Sequence, residues 1–217
     1  MDGGVNWTAV ITSALGMAST LGAVFMGPRL GLSKDRKLRQ DELDRSARYL
    51  AIRVICVLDP FISRCCEVVD DDGEDDRDGI THTRVEDPRL SLPDDVDWKS
   101  ISPDLMYHVL SLPNELEIAE QTASFIAKEV AGPPDYGEAF GERISQYGQL
   151  GLKAFALAAA FRRTYEISER DFGNRNPKDR LQSALTRLDA ERERSRAENA
   201  EMSRDMAAKW HQPPTTG

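Results

Sequence analysis

The chain begins with a long stretch of uncharged residues. Asp2 and Arg29 bound it, and the 26 residues between them carry no formal charge. A helix over about 22 of these residues would be roughly 33 Å long, which matches the roughly 30 Å hydrocarbon core of a bilayer. Thr, Ser, Gly and Ala dilute the larger apolar side chains, so its insertion would be marginal. The pattern predicts a transmembrane helix at residues 5–28, after a short extracytoplasmic stub at 1–4.

Basic residues follow this stretch and set its predicted orientation. Cytoplasmic flanks of membrane helices are enriched in Lys and Arg, so we expect a single-pass protein with its N-terminus outside and its C-terminus in the cytoplasm. A cleaved signal peptide and a buried soluble helix stay open as alternatives, although a signal peptide carries its basic residues before the apolar run. The juxtamembrane segment 29–40 would contact anionic lipid headgroups through Arg29, Lys34, Arg36, Lys37 and Arg39.

Small residues recur along one face of the predicted membrane helix. Ala14, Ala18 and Gly22 are four positions apart, and such a stripe lets two transmembrane helices approach closely. A segment so rich in small residues also produces such a stripe by chance. We interpret it as a candidate surface for self-association.

The apolar positions after residue 41 indicate an all-α body. Steps of three and four from Leu43 to Val68 predict an amphipathic helix with a broad buried face, which Pro60 should kink or divide into two. Further helices are predicted at 104–111, 113–130 and 135–165. Together they indicate a small cytoplasmic helical bundle over residues 41–170.

An acidic segment at 70–103 interrupts this helical pattern. Weak alternation at 81–85 and 89–92 would allow at most a small hairpin, and we expect an irregular or partly disordered connection that Trp98 and Ile101 fasten to the body. The acidic run fails as an EF-hand loop, because with Gly79 as the loop glycine its twelfth position is Val85 instead of a bidentate acid. A solvated linker is the simpler interpretation, and loose binding of a divalent cation or of a basic partner stays open.

The predicted helix at 135–165 contains an unusual number of glycines. Each costs about 1 kcal/mol relative to Ala inside a helix, so an offsetting gain is needed. Close packing against a neighbouring helix would supply it, and a break around 148–151 is the alternative. The packing hypothesis rests on Gly137, Gly141 and Gly148.

The last segment, 174–217, forms a charged helical or disordered tail in this interpretation. Leu181, Leu185 and Leu188 begin a heptad seam, but the continuations at Arg192 and Ser195 are polar, so the sustained apolar heptads of a coiled coil are missing. A solitary charged helix, a weak coiled coil and disorder all stay open. A protein partner or a second copy of the chain would bind through this helix.

Composition and charge narrow the classes of function. The 217 residues carry a formal net charge of −9, but residues 67–97 alone hold thirteen acidic and three basic residues, so the acidity belongs to one segment. Nucleic-acid binding depends on clustered positive charge, and the only basic cluster is the short one at 29–40. We therefore expect no nucleic-acid partner.

Residue types that carry catalysis or bind metals are sparse. The three cysteines, Cys56, Cys65 and Cys66, lack the paired spacing of a zinc site and are interpreted as small buried apolar residues. Asp104 and His108 lie four positions apart without further ligands, and no phosphate loop, nucleophile elbow or dinucleotide motif occurs. We expect no cofactor, no metal and no enzymatic activity.

These features together lead to a functional hypothesis. A membrane-anchored cytoplasmic helical protein with no catalytic motif is expected to act as an interaction, tethering or oligomerisation module. The alternatives are a membrane-inserting pore or lysis-type protein and a helical-bundle enzyme whose polar cavity lies near Asp104, His108 and the region from Glu115 to Glu120. A secreted product of a cleaved signal peptide is a further one.

Overall fold

A computed structural model shows a mostly helical protein. It describes the backbone of residues 7–77, 80–131, 137–173 and 175–210, and the side chains of 35–77, 80–131, 137–173 and 175–207. Within these ranges four α-helices form an all-α fold, and the chain divides into two compact units, Met1–Arg48 and Tyr49–Gly217. The helices are α1 (Trp7–Val69), α2 (Pro103–Phe125), α3 (Gly137–Thr164) and α4 (Pro177–Trp210).

The first unit consists of helix α1 from Trp7 to Arg48 in its described part. Every side chain from 35 to 46 is exposed. No helix in the described part of the chain is both long enough and apolar enough to cross a membrane. The side chains of the predicted transmembrane helix at 5–28 lie outside that part, so the predicted span stays a prediction.

Helix α1 continues into the second unit and supplies one wall of its core. Its apolar side chains recur at steps of three and four, and they are buried on both sides of Pro60. A proline removes one hydrogen bond from a helix, but packing before and after it holds the segment in one helix instead of two. The buried residues include Leu50, Val54, Leu58, Phe61, Ile62 and Cys65.

Helix α2 joins two segments that the sequence predicts as separate. The break predicted between Ser111 and Pro113 does not occur, and the proline lies inside one helix. The Ser102 hydroxyl caps the first turn by accepting a hydrogen bond from the Leu105 amide at 3.3 Å. Val109, Leu112, Leu116 and Ala119 are buried on one face, and a π-helical turn, Ile126–Val130, follows the helix.

Helices α3 and α4 pack against each other through the start of α4. Leu181, Ala184 and Leu188 are buried, so the first three turns of the predicted tail belong to the same compact unit as the bundle. Beyond Arg192 the described side chains of α4 are all exposed. The start of the predicted tail therefore packs against α3, and its described remainder is exposed.

The acidic segment is folded back onto the bundle instead of forming a loose linker. Two short antiparallel strands, β1 (Glu74–Asp75) and β2 (Thr81–His82), pair Glu74 with His82 and Asp75 with Thr81. The weak alternation at 81–85 and 89–92 does not produce a hairpin between these two segments, because the partner of β2 comes from the acidic run before it. Ile101 is buried as expected, and Trp98, half-buried, begins a short 3-10 turn.

Candidate binding site around the buried Arg143

Asp71 organises the start of the acidic segment. Its side chain is fully buried just after α1 ends, and its carboxylate accepts hydrogen bonds from the backbone amides of Gly73 at 3.1 Å, Arg84 at 3.1 Å and Val85 at 3.0 Å. Gly73 has a φ of +77°, a conformation that glycine adopts without a steric cost. The chain can therefore turn around this carboxylate.

Arg143 joins this turn to helix α3. Its Nη1 donates to Asp71 Oδ2 at 3.0 Å, its Nε donates to Asp87 Oδ1 at 2.8 Å, and its Nη2 donates to the carbonyl of Val85. Its side chain is only 9% exposed. Because a guanidinium offers its donors in a rigid fork, one arginine fixes three points of the acidic segment. We call Asp71, Val85, Asp87 and Arg143 the Arg143 network.

Electrostatics favour the ionised form of Asp71. Burial alone would raise its pKa, but the three backbone amides and the Arg143 guanidinium together hold the pKa of Asp71 below its usual range. Arg84 also approaches Asp71, at 3.7 Å, and binds the exposed Asp72. The charged form of this carboxylate is therefore part of the folded structure.

Tyr147 lies one helical turn after Arg143 and has no exposed surface. Burial, and after it the negative charge of Asp87, raises the pKa of Tyr147; Glu120 adds to this effect. The Arg143 guanidinium lies 6.0 Å from the ring centroid. The phenol is thus held neutral beside two carboxylates.

A cleft of about 330 Å³ opens beside the network. Its walls come from the acidic segment, from the end of α2 and from the start of α3. The volume is at the small end of the range for ligand pockets. The lining residues are Thr83, Val85, Glu86, Asp87, Glu120, Ala123, Ser124, Ala127, Ala139, Phe140 and Arg143.

A second buried arginine, Arg162, donates its hydrogen bonds to a single carboxylate. Arg162 Nη2 donates to both carboxylate oxygens of Asp59, at 2.9 and 2.7 Å, and joins α3 to α1. Arg170 lies 3.6 Å from the same carboxylate. Because the pair joins two helices of the core, we assign it a role in packing.

The predicted membrane-surface residues fall in two groups. Arg36, Lys37 and Arg39 are exposed on α1. The side chains of Arg29 and Lys34 lie outside the described residues, as do those of the predicted helix-packing residues Ala14, Ala18 and Gly22. Their contact with lipid or with another helix stays a prediction.

The glycines of α3 lie on the side of that helix that faces α4. A methyl group at Gly141 would lie 3.2 Å from Leu188 Cδ1, and one at Gly148 would lie 2.9 Å from Leu185 Cδ2. The helix is continuous through Gly148 and Gly151, so the alternative of a break there is wrong. Gly137 is exposed at the first position of α3 and borders a cavity of about 690 Å³ with Gly141.

Cysteine and histidine side chains form no centre in the described structure. Cys65 and Cys66 are buried, but Cys56 is exposed, which corrects its interpretation as a buried apolar residue. His108 Nε2 lies 3.7 Å from Asp104 Oδ1, and both side chains are exposed. No group of three or more potential metal ligands converges within the described residues.

The sequence pattern did not identify the Arg143 network, although one signal was present. Arg143 lies three residues after Phe140 and four before Tyr147, within the inward stripe of α3. A basic residue at an apolar register position indicates a buried partner of opposite charge. Nothing in the periodicity indicates which of the thirteen acids at 67–97 supplies it.

Comparison with known proteins gives no match from which a function could be transferred. No protein-family model, no curated protein and no solved structure matches the chain.

Proposed function

We propose that the protein is a membrane-attached helical interaction module that binds a protein partner, or a second copy of itself, through the projecting part of helix α4. The observation that carries this proposal is the exposure of α4 beyond its contact with α3. Every side chain from Glu193 to Ala207 is exposed.

The projecting part of α4 lacks the support that usually stabilises a helix. Isolated helices of this length are marginal in water, and most helical stability in proteins comes from packing of one face. Met202 and Met206 are 58% and 50% exposed, and their spacing of four places them on one face. Flexible methionine side chains are typical of surfaces that bind helices.

The charges of α4 favour a partner with mixed charge. From Lys178 to Lys209 the helix carries eight basic and seven acidic residues. Its net charge is therefore close to zero, and it would not attract a partner of either charge over a long distance. The affinity would come from the Met202 and Met206 face, and the charged residues would set the register of the partner.

Membrane attachment rests on the sequence of the first unit. The uncharged run of 26 residues is followed at once by the basic segment 29–40, where each Lys or Arg near an anionic surface contributes about 1 kcal/mol. Attachment would confine α4 to a layer near the membrane and raise the effective concentration of any partner held there.

Two measurements on the full chain test the proposal. The first is carbonate extraction of cell membranes, in which we expect the full-length chain to stay in the membrane pellet. The second is in-cell cross-linking of wild type and of Met202→Asp/Met206→Asp, in which we expect the cross-linked species of the wild type to be lost.

The matched control is Ala197→Asp/Ala200→Asp, which adds the same charge to the opposite face of the same helix segment. It should keep the cross-linked species. A chain released by carbonate would refute membrane attachment, and equal cross-linking of the two variants would refute α4 as the binding element. A membrane-inserting pore instead predicts ion leakage that the α4 variants leave unchanged.

A further inference from the structure

Helix α2 has a second apolar face, which is exposed in the described structure. Its buried face consists of Val109, Leu112, Leu116 and Ala119. On the opposite side, large apolar side chains are 45–68% exposed, and at 3.6 residues per turn they fall within an arc of about 80°. We call this set the α2 stripe, and its members are Tyr107, Leu110, Ile118 and Phe125.

The α2 stripe has the spacing and the length of a surface that binds another helix. From Tyr107 to Phe125 it extends roughly 27 Å along the helix, at 1.5 Å per residue, and Asn114 and Gln121 complete its steps of three and four. A surface helix normally carries one apolar stripe, which faces the core. A second, exposed stripe indicates an interaction site, and anchors at these steps are typical of recognition between helices.

The charges beside the α2 stripe are negative. Between Pro103 and Phe125 the helix carries four acidic residues and no Lys or Arg, and the π-helical turn after it adds one residue of each sign. Glu115 binds Lys153 of α3, whereas Glu117 and Glu120 are exposed. Glu120 and Phe125 line the same shallow depression of about 430 Å³, so a carboxylate lies beside the apolar end of the stripe.

This combination of apolar surface and negative charge selects among the possible occupants. Anionic headgroups attract Lys and Arg, and they would repel Glu117 and Glu120 if the α2 stripe lay on a membrane. Symmetric pairing with α2 of a second copy would bring the same acids together and is disfavoured too. We propose that the α2 stripe binds an amphipathic helix of a partner protein whose apolar face is flanked by lysine or arginine. Opposite charges at flanking positions select partners in this way in coiled coils.

A designed peptide tests this proposal, which rests neither on α4 nor on membrane attachment. The probe is a fluorescein-labelled amphipathic peptide of about 20 residues, roughly 30 Å long as a helix, with Leu at steps of three and four and Lys on both flanks. The matched peptide has Glu in place of every Lys. Fluorescence anisotropy measures the binding of each peptide to the purified full chain in nanodiscs of neutral phosphatidylcholine, after subtraction of the binding to empty nanodiscs.

We expect saturable binding of the Lys peptide in the micromolar range and at least about tenfold weaker binding of the Glu peptide. Ile118→Ser/Phe125→Ser should weaken binding of the Lys peptide about tenfold or more, because it removes two anchors. The matched control, Met202→Ser/Met206→Ser, removes two similarly exposed apolar side chains from α4 and should change binding by less than about twofold. Substitutions at exposed positions have little effect on stability, and circular dichroism verifies that both variants are folded.

A dye inside the α2 stripe distinguishes a partner helix from lipid. Asn114→Cys in a Cys56→Ser background carries one accessible thiol, because Cys65 and Cys66 are buried. A nitrobenzoxadiazole dye attached to this thiol shifts its emission to the blue in an apolar environment. We expect this shift when the Lys peptide is added, and no shift when the chain is placed in nanodiscs of neutral or anionic lipid alone.

Several outcomes would overturn the proposal. They are no saturable binding of the Lys peptide, equal binding of the two peptides, and equal losses in the α2 and α4 variants. A blue shift in nanodiscs alone would overturn it by assigning the α2 stripe to lipid. A lower oligomeric state of Ile118→Ser/Phe125→Ser than of wild type, measured by light scattering without peptide, would overturn it by assigning the stripe to a second copy.

Discussion

Arg143 and Asp71 form an ion pair between helix α3 and the acidic segment, with Nη1 and Oδ2 3.0 Å apart and with side chains that are 9% and 0% exposed. Pairs this buried differ from surface pairs, because removing one member leaves the other charge buried without compensation. The relationship explains why a segment with a local net charge of −10 folds against the bundle.

Replacing Arg143 by Leu should therefore be severely destabilising. We expect the free energy of unfolding to fall by about 3–5 kcal/mol, the usual cost of breaking a buried pair from one side, in urea denaturation followed by circular dichroism. Arg84→Gln is the control, since Arg84 is half exposed and its exposed contacts contribute about 1 kcal/mol or less. An equal loss in the two variants would contradict a special role for the buried pair.

The same network predicts a specific dependence of stability on pH. The folded protein lowers the pKa of Asp71, so its contribution to stability is fully present above the ordinary aspartate pKa of about 3.9 and is lost as the pH falls through the lower value of the folded state. Asp71→Asn removes this titration. We expect the difference in unfolding free energy between wild type and variant to be constant from pH 7 to 5 and to shrink below pH 4. A difference that grows on acidification would show that Asp71 is not ionised in the folded protein.

Two glycines of α3 should respond in opposite ways to Ala. At Gly151 a methyl group would lie 2.8 Å from Cys65 Cβ and 2.9 Å from Leu181 Cδ1, and the first of these atoms is held by the backbone of α1. We expect Gly151→Ala to cost about 1–3 kcal/mol, as overpacking does. At Gly141 the nearest atom is the end of the Leu188 side chain at 3.2 Å, so the gain of about 1 kcal/mol in helix propensity should leave Gly141→Ala as stable as wild type or more so.

Thermal unfolding of the two glycine variants checks this order. A lower midpoint for Gly141→Ala than for Gly151→Ala would show that the Leu188 side chain yields less than the atoms of Cys65 and Leu181 around Gly151. That result would contradict the packing of α3 between α1 and α4 at Gly151.

The helices were predictable because their buried faces repeat at the helical period. Leu50, Val54 and Phe61 follow this pattern in α1, and Leu116 and Ala119 follow it in α2. Local rules failed at the prolines, where tertiary packing on both sides overrides the missing hydrogen bond. They failed more clearly in the acidic segment, where Asp71, Val85 and Asp87 bind an arginine far along the chain.

The candidate site was less predictable for the same reason. Residues 71, 87, 120 and 143 come from three separate segments, and nothing in their local sequence indicates that they meet. Arg143 carried a signal by its place in an apolar stripe, and Glu120 lay in the region where a polar cavity was an alternative. The partners of Arg143 became apparent only from the folded structure.

The cysteines give a direct test of burial. Cys56 is exposed on α1 while Cys65 and Cys66 are buried, and burial raises the pKa of Cys66 to about 11, which suppresses the reactive thiolate at neutral pH. We expect one thiol per folded chain to react rapidly with a maleimide at pH 7, and all three to react in denaturant. Cys56→Ser should abolish the rapid phase, whereas two rapid thiols in the wild type would contradict the packing of α1.

The same thiol reports the proposed orientation in the membrane. If the second unit is cytoplasmic, a membrane-impermeant maleimide added to intact cells leaves Cys56 unlabelled and labels it once the cells are permeabilised. Because Cys65 and Cys66 stay protected in the folded chain, Cys65→Ser/Cys66→Ser should give the same result as wild type. Labelling in intact cells would place this unit outside, and the basic segment 29–40 would then lie on the side opposite to the one its charge predicts.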